Sequence, residues 1–205
     1  MIKRTLIYLL IFQCFLVNLS AAYAAPSLLS ESAVLIDAKS GTILAQKNAD
    51  KKMYPASLTK IMTAIIAIEM GKLTDVITVD DDTPHEIEGS HIALEPGEIL
   101  TLKDLLYALM LPSANDAALA IAKYYGKSAD GFVKIMNQKA KELGAFNTHF
   151  ENPHGLHSEN HYTTAADLAL ITKYAMENET FRKIVATTKY EIQTTNKKDE
   201  PRYFT

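Results

Sequence analysis

One stretch of this sequence constrains the fold more than any other, because it predicts a helix that is apolar on nearly every side. Residues 61–71 read IMTAIIAIEMG. A helix with that distribution of side chains has no face suited to water, so it must lie in the interior of the protein. Gly71 suits the position just past its end. The rest of the chain must therefore supply elements that enclose this helix.

The entry to this helix carries a serine and a lysine. Pro55 precedes Ser57, and Lys60 follows three residues later, on the same face of a helix. A serine in a first helical turn usually caps the helix. A lysine there is unfavourable as a cation, because the positive helix end and burial both oppose its charge. Such a lysine can act as a base toward Ser57. However, Ser-x-x-Lys arises by chance roughly once in a chain of this length, so the spacing leaves both interpretations open.

The first residues have the pattern of a secretory signal peptide. Two basic residues precede an apolar run over residues 6–17, and small residues follow up to a cleavage site expected after Ala24. The alternative is an uncleaved membrane anchor, but the run is short for a span of about 20 residues. We therefore predict a signal peptide over residues 1–24 and a mature, exported chain over residues 25–205.

Charge and cysteine content narrow the class of protein further. The 205 residues include 21 Lys and Arg against 24 Asp and Glu, a net charge of −3, and no basic block stands out. That balance does not indicate a nucleic-acid partner. Cys14, the one cysteine, lies within the predicted signal peptide. We therefore expect a mature protein without a disulfide or a cysteine-ligated metal, and long enough to bury a sizeable core.

The remaining pattern predicts a hairpin followed mainly by helices. Extended segments are expected over residues 32–38, 42–45, 76–79 and 187–193. Helices are expected from residue 102 to a break at Pro112, and over residues 115–126, 128–143, 164–177 and 179–185. Beyond the extended segment 187–193 we expect only a polar tail up to Thr205. Because two strands do not make a stable sheet alone, we predict an α+β fold. Its helical cluster would pack on an antiparallel sheet whose C-terminal strands are missing from this chain.

A second polar pair lies at the break between two predicted helices. Ser113 and Asn115 are two residues apart in a short connection, so both side chains can point into one cleft. The structural alternative is that Ser113 caps the following helix. Ser158 and Asn160 have the same spacing, but they lie in a polar loop without a helical pattern around it, and we set them aside.

Three segments together resemble a known family. They are residues 55–63 (PASLTKIMT), 105–117 (LLYALMLPSANDA) and 152–156 (NPHGL). The chain resembles, from Ser32 to its end, the D-alanyl-D-alanine carboxypeptidases. These are the low-molecular-weight penicillin-binding proteins of the serine β-lactamase/transpeptidase superfamily. The resemblance implies a β-lactamase/transpeptidase-like fold and an enzyme of cell-wall metabolism.

The resemblance also implies a mechanism. Ser57 would attack the carbonyl between the last two D-alanines of a peptidoglycan stem peptide and form an acyl-enzyme, and β-lactam antibiotics would be covalent inhibitors. Neutral Lys60 would accept the hydroxyl proton, which requires a pKa lowered by roughly 3 from its ordinary 10.4. Ser113 would relay a proton to the leaving D-alanine, and Asn115 would bind substrate or Lys60. The backbone N–H of Ser57 would be one oxyanion donor, and no cofactor is implied.

One departure from the family pattern affects the expected activity. No Lys-Thr-Gly motif follows Gly155, the last glycine. The resemblance assigns that motif substrate carboxylate binding and the second oxyanion donor. Losing one such donor costs about 10²–10³ in rate. We therefore expect a C-terminally truncated chain, weakly active or inactive alone, and any peripheral membrane association would run through a segment absent here. The alternatives are a non-catalytic wall-binding remnant, a β-lactamase or a DD-endopeptidase.

Other polar residues are weaker candidates. Three histidines, His154, His157 and His161, have ligand-like spacing, but no acidic residue completes a zinc motif. We therefore predict no metal. Ser90 and His91 lie in a loop where relatives have a cleft edge, so they are candidate substrate contacts.

Overall fold

The computed structural model describes residues 28–85 and 88–205 of the chain, and the predicted signal peptide lies outside them. The α-helices of the described part are α1 (Lys60–Met70), α2 (Leu102–Met110), α3 (Asn115–Gly126), α4 (Ala129–Glu142), α5 (Ala165–Glu177) and α6 (Glu179–Val185). Its strands are β1 (Ala33–Ile36), β2 (Ile43–Lys47), β3 (Val76–Thr78), β4 (Ile99–Thr101), β5 (Tyr190–Ile192) and β6 (Arg202–Phe204). The strands pair in sequence order as three antiparallel ladders.

Helix α1 lies at the centre of the helical cluster, as its composition predicts. Every residue from Met62 to Ala67 is buried. The helix contacts each of the other five described helices, which enclose it on its different faces. The backbone N–H of Gly71 closes its last turn on the Ala67 carbonyl at 3.0 Å. The prediction that this helix forms the interior is confirmed.

Side-chain caps explain why three of the other helices begin where the sequence predicts. Thr101 and Asp104 exchange hydrogen bonds between side chain and backbone in a capping box at the start of α2. Ser128 and Thr164 each accept a bond from a backbone N–H in the first turns of α4 and α5. These caps determine where each of these helices begins at the edge of the core. The cap of α2 therefore helps to position the connection after α2, which carries Ser113.

The strands agree with the α+β class. The β1–β2 hairpin is formed as predicted, and β1 packs against α5. Strand β4 pairs with β3, the predicted extended piece over residues 76–79. The expectation of a mere polar tail is wrong: Arg202–Phe204 forms β6 against β5. The reason is burial, because Ile192 and Phe204 are both inside the core.

Two irregular segments position the candidate site against α1. One connects β3 to β4 and passes through Ser90, and the other runs from α4 to α5 through residues 152–156.

Within the described residues, no helix combines the length and the hydropathy that crossing a membrane requires.

Candidate active site

Ser57 lies in a turn that is held in an uncommon backbone conformation. The sequence predicted Ser57 within the first turn of the α-helix. The structure instead places it in a short 3₁₀ helix, Ala56–Thr59, that runs directly into α1. Ala56 has φ of +48°, a region that non-glycine residues rarely occupy. Ser57 itself is exposed, whereas Lys60 is buried. The turn therefore presents a hydroxyl to solvent directly above a buried amine.

Lys60 lies among three oxygen atoms and is only 2% exposed. Its Nζ is 3.3 Å from Ser57 Oγ, 2.7 Å from Asn115 Oδ1 and 2.8 Å from the His154 carbonyl oxygen. The amide and carbonyl oxygens can only accept hydrogen bonds. They satisfy the two N–H groups of a neutral amine, so its lone pair is left to face the Ser57 hydroxyl. This geometry suits a base that removes the serine proton.

Burial lowers the pKa of Lys60 from 10.5 to about 8. Among the described residues, none of the groups bonded to Nζ is a carboxylate that would hold it as a cation. The predicted direction is thus confirmed, with burial as its cause. At pH 7.5 roughly a quarter of the molecules carry the neutral amine. Exposed Ser57 and neutral Lys60 together have the arrangement of a candidate nucleophile with its candidate base.

Asn115 orients this pair from the first turn of α3. Its Nδ2 donates to the Glu88 carbonyl at 2.6 Å, so its Oδ1 is the atom that faces Lys60. Its backbone N–H donates to the Ser90 carbonyl at 2.7 Å. The prediction for Asn115 therefore agrees with the geometry in the form of a contact to Lys60. Its two other bonds fasten the segment at Ser90 to the helix.

Ser113 occupies the connection between α2 and α3 and does not cap a helix. The position that caps α3 belongs to Ala114, which provides no side-chain bond. Ser113 has φ of +62°, and its Oγ is buried without a hydrogen-bond partner in the described part of the chain. A buried hydroxyl left unpaired is unfavourable and is uncommon outside functional sites. The structure thus brings Ser57, Lys60 and Asn115 into one hydrogen-bonded group, and Ser113, two residues before Asn115, has no bond to it within the described residues.

Ser90 and His91 remain candidate substrate contacts. Ser90 takes part through its backbone carbonyl, as described above. His91 is exposed, and its Nδ1 accepts the backbone N–H of Ala93 at 3.2 Å.

Asp116, which the sequence analysis missed, holds the segment that contains Ser90 and His91 in place. Its buried carboxylate accepts the backbone N–H groups of Ile92 and Leu94 at 3.1 and 3.0 Å. An acidic residue directly after the Ser-x-Asn pair was the available signal.

The segment 152–156 supplies the carbonyl that holds Lys60, a role that the sequence analysis also missed. Asn152 Oδ1 accepts the backbone N–H of Gly155 at 2.7 Å and its Nδ2 donates to the Leu156 carbonyl at 2.9 Å, which folds the segment into a tight turn. Thr63 on α1 donates to the Pro153 carbonyl at 2.6 Å. The turn is thereby fixed against α1, with the His154 carbonyl directed at Lys60. Asn before Pro-His-Gly was the signal of such a turn.

The histidines with ligand-like spacing have other partners. His154 Nδ1 accepts the Leu156 N–H at 3.2 Å, and the ring of His157 makes an edge contact with Tyr54. His161 is bonded at both ring nitrogens. Burial is the main cause that lowers the pKa of both His154 and His161 to about 4. Among the residues described, no group of three His, Cys, Asp or Glu side chains is placed to hold a metal ion.

Similarity to known proteins extends over most of the chain. A family model described as D-alanyl-D-alanine carboxypeptidase matches residues 20–203. The chain is 41% identical over 163 residues to D-alanyl-D-alanine carboxypeptidase DacF of Bacillus subtilis, which covers 77% of this chain and 42% of that protein. The chain therefore spans less than half the length of that relative.

Solved structures show the same likeness. The crystal structure of D-alanyl-D-alanine carboxypeptidase from Mycobacterium tuberculosis H37Rv matches with a TM-score of 0.84 at 29% identity, covering 90% of this chain and 69% of that one. A mutant of the Streptomyces K15 DD-transpeptidase matches with a TM-score of 0.81 at 31% identity, covering 88% and 74%. The predicted β-lactamase/transpeptidase-like fold is confirmed by these matches.

Proposed function

The chain belongs to the D-alanyl-D-alanine carboxypeptidase family, and we propose that it is a serine-type enzyme that removes the terminal D-alanine from peptidoglycan stem peptides. The observation that carries this proposal is the placement of Lys60. Its buried Nζ lies 3.3 Å from the exposed Ser57 Oγ, and its other two partners are oxygens that only accept hydrogen bonds. A lysine held in this way is a base and not the cation of an ion pair.

The proposed reaction begins at Ser57. Its Oγ attacks the carbonyl carbon of the terminal D-Ala-D-Ala bond while the hydroxyl proton passes to neutral Lys60. The resulting tetrahedral intermediate collapses when the bond to the leaving D-alanine nitrogen breaks, and that nitrogen takes up a proton through Ser113. Water then hydrolyses the ester on Ser57 and releases the shortened peptide. The Ser113 hydroxyl, which has no partner among the described residues, and the fixed Asn115 amide support these assignments.

The same site gives the partners and the location that we propose. Substrates are stem peptides that end in D-Ala-D-Ala, and β-lactam antibiotics acylate Ser57 as covalent inhibitors. The enzyme acts in the cell envelope, on the outer face of the cytoplasmic membrane or beyond it. Export depends on the predicted signal peptide, residues 1–24. The family membership of the chain supports the envelope location.

Penicillin labelling tests the proposal directly. Mature chain, residues 25–205, is incubated with a fluorescent penicillin, and the labelled peptide is identified by mass spectrometry. We expect a band in the parent chain that is absent in Ser57→Ala and in Lys60→Met. Ser158→Ala is the matched control, because Ser158 belongs to the second Ser-x-Asn pair, and it should label like the parent. Label that persists in Ser57→Ala refutes the assignment. An unlabelled parent chain that still sediments with peptidoglycan favours the non-catalytic wall-binding function.

A further inference from the structure

His161 is a buried histidine that the proposed reaction does not use. It lies in the segment that leads into α5 and is 2% exposed. Its Nε2 is 2.8 Å from Thr59 Oγ1, and its Nδ1 is 3.1 Å from the backbone nitrogen of Glu151. The ring thus makes one contact on each of two segments that are far apart in the sequence.

The contact at Nδ1 fixes the tautomer of the ring. A backbone N–H can only donate, so Nδ1 of His161 must be the acceptor and carries no proton. The hydrogen of the neutral ring is therefore on Nε2, where it is donated to Thr59 Oγ1. Burial keeps the pKa of His161 at about 4, against a raising effect of the Glu151 carboxylate and with lowering effects of His149 and His157. The ring is neutral at physiological pH.

The two contacts of the ring join the two segments that surround Lys60. Thr59 directly precedes Lys60 and lies in the same 3₁₀ helix as Ser57. Glu151 directly precedes segment 152–156, whose His154 carbonyl is 2.8 Å from Lys60 Nζ. The ring therefore connects the turn that carries the nucleophile to the segment that holds the base.

We propose that His161 is a positioning residue: it holds segment 152–156 against the Ser57 turn and so keeps Lys60 Nζ between the His154 carbonyl and Ser57 Oγ. The inference rests on the proposed function only in that Ser57 and Lys60 are taken as the reacting pair. Lys60 itself is faced by Ser57, Asn115 and His154, and Nζ has hydrogen bonds to all three.

Loss of the ring has a defined effect on Lys60. Without the bond to Glu151, segment 152–156 is held to the Ser57 turn less tightly, although Thr63 still bonds the Pro153 carbonyl, and water gains access to the amine. Burial is what lowers the pKa of Lys60 to about 8, so hydration raises that pKa toward 10.5. The neutral fraction at pH 7 then falls, by about threefold for each rise of about 0.5 in the pKa.

The experiment measures the pKa of Lys60 by NMR titration of mature chain containing lysine labelled with ¹³C at Cε. The Lys60 signal is assigned by its loss in Lys60→Met. We expect His161→Ala to raise the pKa of Lys60 by about 0.5 or more. His161→Gln retains a donor toward Thr59 but loses the acceptor for Glu151, so it should also raise the pKa of Lys60. The matched control is His157→Ala, an exposed histidine of the same loop, which should leave the pKa unchanged.

A second pair of variants separates positioning from general folding. Thr59→Val removes the hydroxyl partner of His161 at nearly constant volume and should also raise the pKa of Lys60. Combined with His161→Gln, it should raise the pKa by less than the sum of the two single changes, because each breaks one end of the same bridge through residue 161. A Lys60 pKa that stays at the parent value in folded His161→Gln and Thr59→Val refutes the proposal.

The penicillin acylation rate gives an independent readout. In the His161 variants the rate at pH 7 should fall by the same factor as the neutral fraction of Lys60, and the fall should shrink as the pH is raised. A uniform fall at all pH values, with an unchanged pKa of Lys60, contradicts positioning through the base. If the parent chain is not acylated at all, the proposed function fails, but the NMR titration still decides the role of His161.

Discussion

Lys60 destabilises the folded protein through the same burial that makes it reactive. Its pKa is about 8 in the folded chain and near 10.5 when it is solvated. Between pH 8 and pH 10.5 the unfolded chain binds more protons than the folded chain, so the free energy of unfolding rises with pH across that range. Below pH 8 the whole penalty is present, about 3 kcal/mol. Two hydrogen bonds, to Asn115 and the His154 carbonyl, offset part of it.

Replacement of Lys60 by methionine should therefore stabilise the protein while it abolishes acylation. We expect Lys60→Met to raise the free energy of unfolding by about 1–2 kcal/mol at pH 7, after allowance for the two acceptors left unpaired. The gain should decrease as the pH is raised toward 10. Urea unfolding at pH 7 and pH 9.5 measures both values. A variant that is less stable than the parent at pH 7 contradicts the idea that burial of the Lys60 cation destabilises the fold.

The Ser57 turn and segment 152–156 depend on each other for their shape. Gly155 has φ of +93°, and a Cβ built on it would lie 1.9 Å from the Ala56 carbonyl oxygen. Ala56 is itself in the left-handed region. The absence of a side chain at Gly155 permits the backbone of segment 152–156 to approach the backbone of the Ser57 turn. The proposed nucleophile and the carbonyl that holds its proposed base therefore lie on two closely packed segments from distant parts of the sequence.

Two glycine substitutions separate this close approach from backbone strain alone. Gly155→Ala should lower the acylation rate by more than about tenfold and reduce stability by about 2–3 kcal/mol, because Ala56 must move. Gly144→Ala is the matched control, since Gly144 has φ of +80° with nothing within 4 Å of the added Cβ. It should reduce stability by about 1 kcal/mol and leave the acylation rate unchanged. Acylation kinetics and urea unfolding provide the comparison, and equal effects of the two changes on the rate would argue against the contact.

Strands β5 and β6 are tied to the rest of the molecule by a buried carboxylate. Glu98 is fully buried and accepts bonds from Arg202 at 2.7 and 3.0 Å and from Thr195 at 2.8 Å. Burial raises the pKa of Glu98, but these bonds outweigh it and hold the pKa below 4.5. Tyr190 of β5 stacks on Tyr107 of α2 with ring centroids 3.7 Å apart. The last described residues thereby support α2, which leads to the connection at Ser113.

Removal of the Arg202 guanidinium should destabilise the packing of strands β5 and β6 against the rest of the molecule. Arg202→Met leaves the Glu98 carboxylate buried without its cation, and we expect a loss of about 3–5 kcal/mol at pH 7. Because the pKa of Glu98 then rises, the variant holds a neutral carboxyl at acid pH, and its deficit relative to the parent should shrink toward pH 4. Lys183→Met, at an exposed position of α6, is the control and should change stability by less than about 0.5 kcal/mol. Thermal unfolding at both pH values checks this, and a deficit that is the same at pH 4 and pH 7 would exclude Glu98 as its origin.

The features that could be predicted from the sequence are those that depend on short-range patterns. Helix α1 and its Ser-x-x-Lys entry were predictable because apolar spacing and the residues at helix ends are short-range signals. Strand β6 was missed because its single buried side chain, Phe204, gives no alternation that would reveal a strand. The role of His161 was missed for a different reason. Histidine spacing indicates possible ligands, but it does not indicate which backbone N–H or hydroxyl each ring nitrogen meets across the fold.

The unpaired hydroxyl of Ser113 has one further consequence. Because no described residue is hydrogen-bonded to Ser113 Oγ, the O–H group can rotate about its Cβ–Oγ bond without breaking a hydrogen bond in that part of the chain. In the proposed relay, the proton would thus move by torsion of a single bond while the surrounding chain stays still. The reorientation would then require the rotation of one hydroxyl and the loss of no hydrogen bond to a described residue.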